Sequence, residues 1–344
     1  MAWTMPAETA RHERMWMAFP REGITLGEGS ETQEAGYAAW AAVANAIAEF
    51  EPVSMVVDPS QAARARRMLD SSIELHEAPL DEFWMRDVGP TFVLDPEHPG
   101  VLGAVDWVFN GWGAPEWAQW ELSAKLGDFV GEQAKAELIP SALVAEGGGL
   151  HVDGEGTVLV TETVQLDPRR NPGATHAQVE AELARTLGTT KTIWLPRGLW
   201  RDYDAFGTNG HVDMVATFAS PGTVLLHHQP DPQHPDHLVT RVLKEQLLAE
   251  TDAAGRPLNV IDLPAPNILR DHEGFVDYSY VNHVLVNDGV IACGFGDERA
   301  DAAARSILAE AYPGRRVVTV NALEIFARGG GIHCITQQQP EVIA

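Results

Sequence analysis

The chain has 344 residues, and 24 Lys and Arg against 49 Asp and Glu give a formal net charge of −25, with the 13 His taken as neutral. This excess of negative charge argues against nucleic acid or an anionic membrane surface as a partner. At 45% hydrophobic and 21% charged residues, the composition is that of a globular protein with a large core, and it excludes a mainly disordered chain.

Hydrophobic periodicity and capping signals predict helices separated by strand-like runs. The predicted helices are 30–50, 62–69, 116–130, 176–187, 237–249 and 299–311. The predicted strands are 53–57, 91–94, 158–163, 192–195, 212–218, 223–226, 259–263, 280–286, 290–293 and 317–320. The run Asn287-Asp288-Gly289 predicts a tight hairpin turn between the predicted strands 280–286 and 290–293.

A weak triplet recurs along the chain, each time near the start or the end of a strand-like run. Its copies are Met85-Arg86-Asp87, His151-Val152-Asp153, His211-Val212-Asp213, Phe275-Val276-Asp277 and Ile332-His333-Cys334. Their last positions are 66, 60, 64 and 57 residues apart, a nearly constant period that is typical of repeated modules. Because no linker divides the chain, we predict an α/β fold in which residues 1–344 form a single domain of five ββαβ modules, a pseudo-fivefold propeller.

In such a radial arrangement, equivalent positions of the modules meet at the axis. These positions hold Asp87, Asp153, Asp213, Asp277 and Cys334. Carboxylates that converge beside a thiol favour a site for a cationic ligand.

The two cysteines have contrasting surroundings. Cys334 follows three glycines at 329–331 and precedes a polar run, so we predict a reactive thiol and not a core residue. Cys293 lies in an apolar strand-like run, and we predict that it packs in the core.

Other candidate site residues lie next to these acids. His211 precedes Asp213 by two positions, so on a strand the two side chains would face one cavity. Glu146 stands directly before three glycines, which let backbone and ligand approach closely. The carboxylate of Asp87 forms either a salt bridge with Arg86 or, if it is free, a bidentate contact with a planar cation.

With these residues in place, the sequence resembles the agmatine deiminase family of guanidine-modifying enzymes, which share the pentein fold of five ββαβ modules. The resemblance covers nearly the whole chain and includes Trp84-Met85-Arg86-Asp87 and Gly331-Ile332-His333-Cys334. The segments that carry it are 5–8, 16–20, 84–90, 106–113, 146–148, 151–157, 170–172, 210–213 and 329–338.

The resemblance implies a role for each of five residues. Cys334 would be the nucleophile, and His211 the general acid and base with Glu146 as its partner. Asp87 and Asp213 would bind the guanidinium group of a small cationic substrate. The reaction would be hydrolysis to a ureido product and ammonia, with no metal and no organic cofactor.

The sequence says less about which residues contact the tail of the substrate than about which residues contact its guanidinium group. Trp84 and Trp112 are candidates for the wall around the tail. The chain departs from the family pattern at Asn209, where an Asp is usual, and at Met214, where an Asn is usual. The stretch 203–207 and Ala114-Pro115 are also unusual. These departures bear on the identity of the substrate and leave guanidine deimination unaffected.

Several alternatives stay open at this stage. The substrate could be peptidyl-arginine or another guanidine compound in place of agmatine. An amidinotransferase would use the same thiol intermediate, and a pentein could also act as a binding module without catalysis. A homo-oligomer is compatible with the sequence.

The cellular compartment is predicted from cysteine content and from apolar runs. Two Cys are too few for a disulfide framework, and no secretory leader stands at the N-terminus. The longest apolar stretch, 37–48, is too short to cross a bilayer. We therefore expect a cytoplasmic protein with no membrane partner.

Overall fold

Five small β-sheets follow one another in the computed structural model, which describes residues 3–342. Four sheets have three strands and share one pattern: the first strand pairs antiparallel with the second, and the third pairs parallel with the second. A helical segment connects the two parallel strands in each sheet, as parallel pairing requires. This arrangement confirms the predicted fold of five modules.

The strands are β1 (His12–Ala18), β2 (Val53–Val57), β3 (Glu74–Glu77), β4 (Thr91–Leu94), β5 (Leu102–Val108), β6 (Glu137–Val144), β7 (His151–Val152), β8 (Thr157–Thr161), β9 (Lys191–Leu195), β10 (Ala216–Ser220), β11 (Thr223–His228), β12 (Asn259–Pro264), β13 (Val284–Val286), β14 (Gly289–Gly294), β15 (Arg316–Asn321) and β16 (Thr336–Pro340). The α-helices are α1 (Ser30–Ala48), α2 (Ala62–Met68), α3 (Met85–Val88), α4 (Leu126–Gln133), α5 (Glu162–Gln165), α6 (His176–Leu187), α7 (Asp236–Leu248), α8 (Glu298–Ala311) and α9 (Leu323–Phe326). Short 3-10 turns lie at Ser123–Lys125, Gly147–Gly149, Arg201–Tyr203 and Val212–Met214.

The remaining sheet joins the two ends of the chain. Its strand order is β16-β1-β2-β3, with β16 antiparallel to β1. The indole N–H of Trp16 donates to the Oε1 atom of Gln339 at 2.9 Å across this pairing. Cys334 lies two residues before β16, so closure of the ring of modules also fixes the position of this thiol.

Helix α6 shows how local sequence sets the ends of an element. The Thr175 hydroxyl accepts from the Gln178 backbone N–H, and the Gln178 side chain accepts from the Thr175 N–H, which forms a capping box. Gly188 ends the helix in the left-handed conformation at φ 71°. The predicted helix 176–187 is confirmed.

The core packs against the site through aromatic rings. All five residues of β2 are buried, as expected for a strand covered on both faces. Trp40 on α1 is fully buried and makes edge contacts with Phe83 and Trp84, at centroid distances of 5.2 and 5.4 Å. The core therefore fixes the ring of Trp84, one of the predicted tail residues.

Several predicted elements are confirmed closely, and others are wrong in part. The hairpin is confirmed, with Val286 paired to Gly289 and Asp288 at φ 61°. The predicted helix 116–130 is wrong over its first residues, because the Trp117 indole donates to the Ala205 carbonyl at 2.6 Å and holds an irregular segment. The prediction missed β1, β3, β5, β6, β7 and β16.

None of the helices in the described part of the chain combines the length and the hydropathy that a bilayer crossing needs.

Candidate active site

The site lies where the short segments that precede the first strands of the modules come together. Helix α3 contacts the turn Gly147–Gly149, which in turn contacts the turn Val212–Met214. Helix α3 also packs on β16. These contacts bring Asp87, Asp213 and Cys334 to one point, as the sequence predicted.

Two of the five predicted convergent positions are wrong. Asp153 follows β7 and accepts from the N–H groups of Glu155 and Thr157 at 2.8 and 2.9 Å, so it caps a turn. Asp277 lies seven residues before β13 and lines a separate groove. The triplet alignment failed in these modules because it did not keep a constant distance to the following strand.

Asp87 is held by two donors. The indole N–H of Trp112 donates to Oδ2 at 2.9 Å, and the backbone N–H of Gly148 donates to Oδ1 at 3.0 Å. Burial, with the nearby charges of Asp213 and Glu146, raises the pKa of Asp87 to about 6, against the opposing effect of His211. Asp87 is therefore ionised at neutral pH.

The two carboxylate oxygens of Asp213 differ, because one has close polar partners and the other has no hydrogen-bond partner. Its Oδ2 atom lies 2.8 Å from Nδ1 of His333 and 3.4 Å from Sγ of Cys334. Its Oδ1 atom has no hydrogen-bond partner among residues 3–342. Burial acts to raise the pKa of Asp213, but His333 outweighs it and the pKa is lowered.

His333 carries the positive charge that keeps Asp213 ionised. Its two ring nitrogens face carboxylates, Nδ1 toward Asp213 and Nε2 toward Glu8, each at 2.8 Å. Both nitrogens must donate, so the ring is an imidazolium. Burial and Arg86 lower the pKa of His333, whereas Glu8 and Asp213 outweigh them and raise it.

His211 belongs to a second buried network. Its Nε2 atom lies 3.3 Å from Oε2 of Glu146, and Arg170 Nε donates to both oxygens of Glu146 at 2.9 and 3.1 Å. Burial would raise the pKa of Glu146, but Arg170 and His211 lower it to about 2. Burial would lower the pKa of His211, but Asp87 and Glu146 raise it to about 9. The imidazole is therefore protonated at neutral pH.

The segment that carries His211 is not a strand, contrary to the prediction for 212–218. It forms a 3-10 turn at Val212–Met214, and β10 begins at Ala216. Asp202 fixes this turn, since its Oδ2 atom accepts from the backbone N–H groups of Gly210 and His211 at 2.7 and 2.9 Å. The expectation that His211 and Asp213 address one cavity still holds.

Gly148 shows where the three groups converge. A Cβ atom built there would lie 2.5 Å from Nδ1 of His211, 2.9 Å from Oδ1 of Asp87 and 3.1 Å from Oδ2 of Asp213. Nδ1 of His211 forms no hydrogen bond in the described range and lies 3.8 Å from Oδ1 of Asp87, so its proton is available to a ligand. Any side chain at position 148 would clash with these groups, so the glycine allows the imidazole and the two carboxylates to converge on one point.

Cys334 receives two donors. Nδ2 of Asn282 lies 3.2 Å from its sulfur, and the backbone N–H of Gly331 lies 3.4 Å away. Burial and the charges of Asp213 and Asp87 raise the pKa of the thiol well above its ordinary value. The thiol is therefore neutral in this structure.

Asn282 is a site residue that the sequence analysis missed. It stands two residues before β13, just as Cys334 stands two residues before β16. Its Oδ1 atom also accepts from the backbone N–H of His333 at 2.9 Å. Distance to the following strand is the signal that could have identified it.

A narrow pocket leads to the thiol. Both predicted tail residues, Trp84 and Trp112, line it, together with Trp117 and Phe206, which were not predicted. The ring centroids of Trp112 and Trp117 are 6.0 Å apart, and those of Trp117 and Phe206 are 5.0 Å apart. The wall of the pocket is therefore aromatic.

The departures from the family pattern divide into two kinds. Phe206, from the unusual stretch 203–207, lines the pocket, whereas Asn209 and Met214 do not. Asn209 has a positive φ of 68°, which favours Asn, and its amide donates to Asp167 at 3.3 Å. Met214 is buried in the core.

One cluster offers metal-ligating atoms. Glu8, His151 and His333 could supply three ligands close to one another. Nη1 of Arg86 lies 3.4 Å from Glu8, and both nitrogens of His333 donate to carboxylates, so the cluster already holds its own positive charges. These contacts do not fit a bound cation.

Cys293 contrasts with Cys334. It is buried in β14, and its thiol donates to the Asn282 carbonyl at 3.1 Å. Burial raises the pKa of this thiol to about 12. Cys293 packs in the core, as predicted.

Known proteins match this chain over its whole length. Residues 4–340 match the family model for Porphyromonas-type peptidyl-arginine deiminase. The chain is 54% identical over 341 residues to a Streptomyces coelicolor protein provisionally named agmatine deiminase, which covers 99% of both chains. It is 39% identical over 359 residues to the agmatine deiminase of Pseudomonas aeruginosa, which covers 98% of this chain and 95% of that one.

The fold matches as well. The structure of the agmatine deiminase of Enterococcus faecalis superposes with a TM-score of 0.92 at 33% identity, covering 99% of this chain and 97% of that one. The chain therefore belongs to the Porphyromonas-type peptidyl-arginine deiminase family and, with these relatives, to the agmatine deiminases, which confirms the resemblance seen in the sequence.

Proposed function

We propose that this chain hydrolyses the guanidinium group of agmatine to N-carbamoylputrescine and ammonia through a covalent amidino-cysteine intermediate. The observation that carries the proposal is a thiol 3.4 Å from one of two buried carboxylates that converge with a protonated imidazole around Gly148. The proposal agrees with the activity named for the relatives.

Binding of the guanidinium uses the two carboxylates of the site. Oδ1 of Asp213 is unpartnered in the described structure, and Asp87, whose oxygens each accept one hydrogen bond, retains further lone pairs. Charge-assisted bonds from a planar guanidinium to two carboxylates fix its orientation and hold its carbon against the sulfur. The aromatic wall then encloses the aliphatic tail.

Substrate binding also activates the nucleophile. Asp87 and Asp213 raise the pKa of the Cys334 thiol, and a guanidinium between them cancels this effect. The thiol proton passes to solvent as the cation binds, and the resulting thiolate forms a bond to the guanidinium carbon and gives a tetrahedral adduct. His211 donates its Nδ1 proton to the departing nitrogen, and ammonia leaves.

Hydrolysis completes the cycle. His211, now neutral, removes a proton from a water molecule, whose oxygen attacks the amidino carbon. Collapse of this second adduct breaks the carbon–sulfur bond, returns the hydroxyl proton to the departing sulfur as the Cys334 thiol, and releases the ureido product. Glu146 and Arg170 keep the imidazole in place through both proton transfers.

The shape of the pocket supports a small substrate. Cys334 is 5% exposed at the end of a narrow channel lined by Trp84, Trp112 and Trp117. A free alkyl guanidine can enter such a channel, whereas a peptide backbone would have to stay at its mouth.

The test is ammonia release from agmatine, free arginine, dimethylarginine and an arginine peptide. We expect release from agmatine, its loss in Cys334→Ala, and its retention in the matched control Cys293→Ala. Mass spectrometry of the acid-quenched reaction should show the amidino adduct on the Cys334 peptide. Release from another guanidine alone would refute agmatine as the substrate, and release that survives Cys334→Ala would refute the mechanism.

Three expectations about the whole protein accompany this proposal. A single domain over residues 1–344 is supported by the sheet that joins β1 and β16. A cytoplasmic location is supported by two free, buried cysteines. The net charge of −25 favours a cationic substrate and disfavours nucleic acid, and a homo-oligomer stays a prediction.

A further inference from the structure

We infer that Thr25, with the carboxyl of Glu82 behind it, forms a subsite for the terminal ammonium of the substrate, at the opposite end of the pocket from Cys334. The inference deepens the proposed function and rests on it. The ligand is an aliphatic ammonium, carried on the same chain as a guanidinium.

The position of the subsite follows from the residues that line the pocket. Asp87 and Cys334 lie at its closed end. Thr25, Phe206 and Arg328 line both this pocket and the outer groove, so they stand at its mouth. A linear substrate whose guanidinium contacts the acids at the closed end therefore places its other cation near the mouth.

Thr25 is arranged to accept hydrogen bonds from a ligand. Its Oγ1 atom lies 2.9 Å from both carboxylate oxygens of Glu82. A hydroxyl has one proton and two lone pairs, and an ionised carboxylate can only accept. With Glu82 ionised, the Thr25 proton is committed to it, and the oxygen offers only lone pairs to the pocket. Such an acceptor suits an ammonium.

Glu82 supplies a buried carboxyl that has no cationic partner in the described residues. The residue is 5% exposed, and it can take up a negative charge when a cation binds. The Ser123 hydroxyl accepts from its backbone N–H at 2.8 Å and fixes the segment. An isolated buried carboxyl is unfavourable when ionised, and a cation that arrives beside it removes this cost.

Arg328 is the one cation among the residues that line the pocket, and it is already neutralised. Its Nη1 atom lies 2.8 Å from Oε2 of Glu324, and Nη2 donates to the Thr32 carbonyl at 2.6 Å. Its Nε atom donates to the carbonyl of Leu26, next to Thr25, at 3.3 Å. Arg328 therefore anchors the loop that carries Thr25.

The subsite predicts a pH dependence that appears only with a substrate whose tail ends in an ammonium group. Burial raises the pKa of Glu82 to about 8, with Asp81 adding to the rise and Thr25 and Arg21 opposing it. An ammonium favours the ionised form, so its binding releases a proton from Glu82. The ratio of kcat/KM for a substrate with the ammonium to kcat/KM for one without it should therefore increase as the pH rises through about 8.

The experiment compares agmatine with 1-butylguanidine, which lacks the terminal amine, by kcat/KM of the full chain. We expect Glu82→Gln and Thr25→Val to lower kcat/KM for agmatine by at least about tenfold, the value of a charge-assisted hydrogen bond, and to leave 1-butylguanidine unchanged. Thr25→Ser should keep the preference. Glu31→Gln is the matched control, since Glu31 is an exposed acid that lines only the outer groove.

The ratio of the two substrates is independent of the fraction of folded enzyme, so a destabilised variant still gives a valid result. Equal losses for both substrates, or no loss in either variant, would overturn the subsite. A pH-dependent preference that survives Glu82→Gln would also overturn it. Ammonia from neither substrate with the unmodified chain would refute the proposed function, and the subsite with it.

Discussion

A cationic alkylating reagent should inactivate this protein far faster than its neutral isostere. The pair we would use is 2-chloroacetamidine and 2-chloroacetamide, which have nearly the same size and the same leaving group. Only the amidine carries the planar positive charge that the two carboxylates bind. The comparison therefore isolates the contribution of Asp87 and Asp213 to the reactivity of Cys334.

The magnitude follows from the geometry of the site. Sγ of Cys334 lies 3.4 Å from Oδ2 of Asp213, and the two carboxylates raise its pKa. A cation about 4 Å from a carboxylate, at an effective dielectric constant of about 20, gains about 4 kcal/mol. Since 1.4 kcal/mol is a factor of ten, one such pair accelerates the reaction about 10³-fold.

The assay is the second-order rate of loss of ammonia release, with mass spectrometry to locate the modified cysteine. Cys293 is the internal control, because its sulfur is bonded to a backbone carbonyl in β14 and should react slowly with both reagents. Asp213→Asn should remove most of the advantage of the amidine. Equal rates for the two reagents with the unmodified chain would refute the idea that a cation between the carboxylates activates the thiol.

Three further predictions concern the same network. Plotted against pH, kcat/KM should rise as Asp87 ionises near pH 6 and fall as His211 loses its proton near pH 9; a profile still rising above pH 9 would contradict the assignment of His211 as the acid. Glu146→Gln should move the alkaline limb to lower pH by about one unit, because the imidazolium loses a buried counter-charge, and an unmoved limb would contradict that role. Gly148→Ala should abolish ammonia release and lower the melting temperature, because its Cβ would lie 2.5 Å from Nδ1 of His211 and displace the imidazole; retained activity would show that the position of His211 against Gly148 is not needed for catalysis.

The sequence predicted the site better than it predicted the strands. The local sequence marks Asp87, Asp213 and Cys334 as site residues, because glycines and polar residues stand nearby where a core segment would be apolar. Strand β16 has no such signal, since Thr-Gln-Gln-Gln-Pro lacks any apolar period and yet is fully buried. Two of its amides have distant partners, Gln337 with Arg86 at 2.6 Å and Gln339 with Trp16 at 2.9 Å. The local sequence pattern of β16 does not reveal hydrogen bonds to residues so distant in the chain.

The residues that the sequence analysis missed act through contacts between distant segments. Asn282 is 52 positions from Cys334, and Asp202 holds His211 through backbone groups that any sequence would supply. Asp153 and Asp277 were predicted to converge because they share a triplet with Asp87 and Asp213. The prediction for these two residues was wrong because their distances to the nearest strand differ. Asp153 directly follows β7, whereas Asp277 stands seven residues before β13.

Closure of the ring and ionisation of the site are physically linked. Strand β16 pairs with β1, and Glu8 reaches His333 at 2.8 Å, so the two ends of the chain hold the imidazolium that faces Asp213. Without that cation, Asp213 would be buried beside a thiol and another carboxylate, and its pKa would rise. A protonated Asp213 could neither orient a guanidinium nor keep its charge localised. The contact that completes the fold is therefore also one that makes the site able to bind a cation.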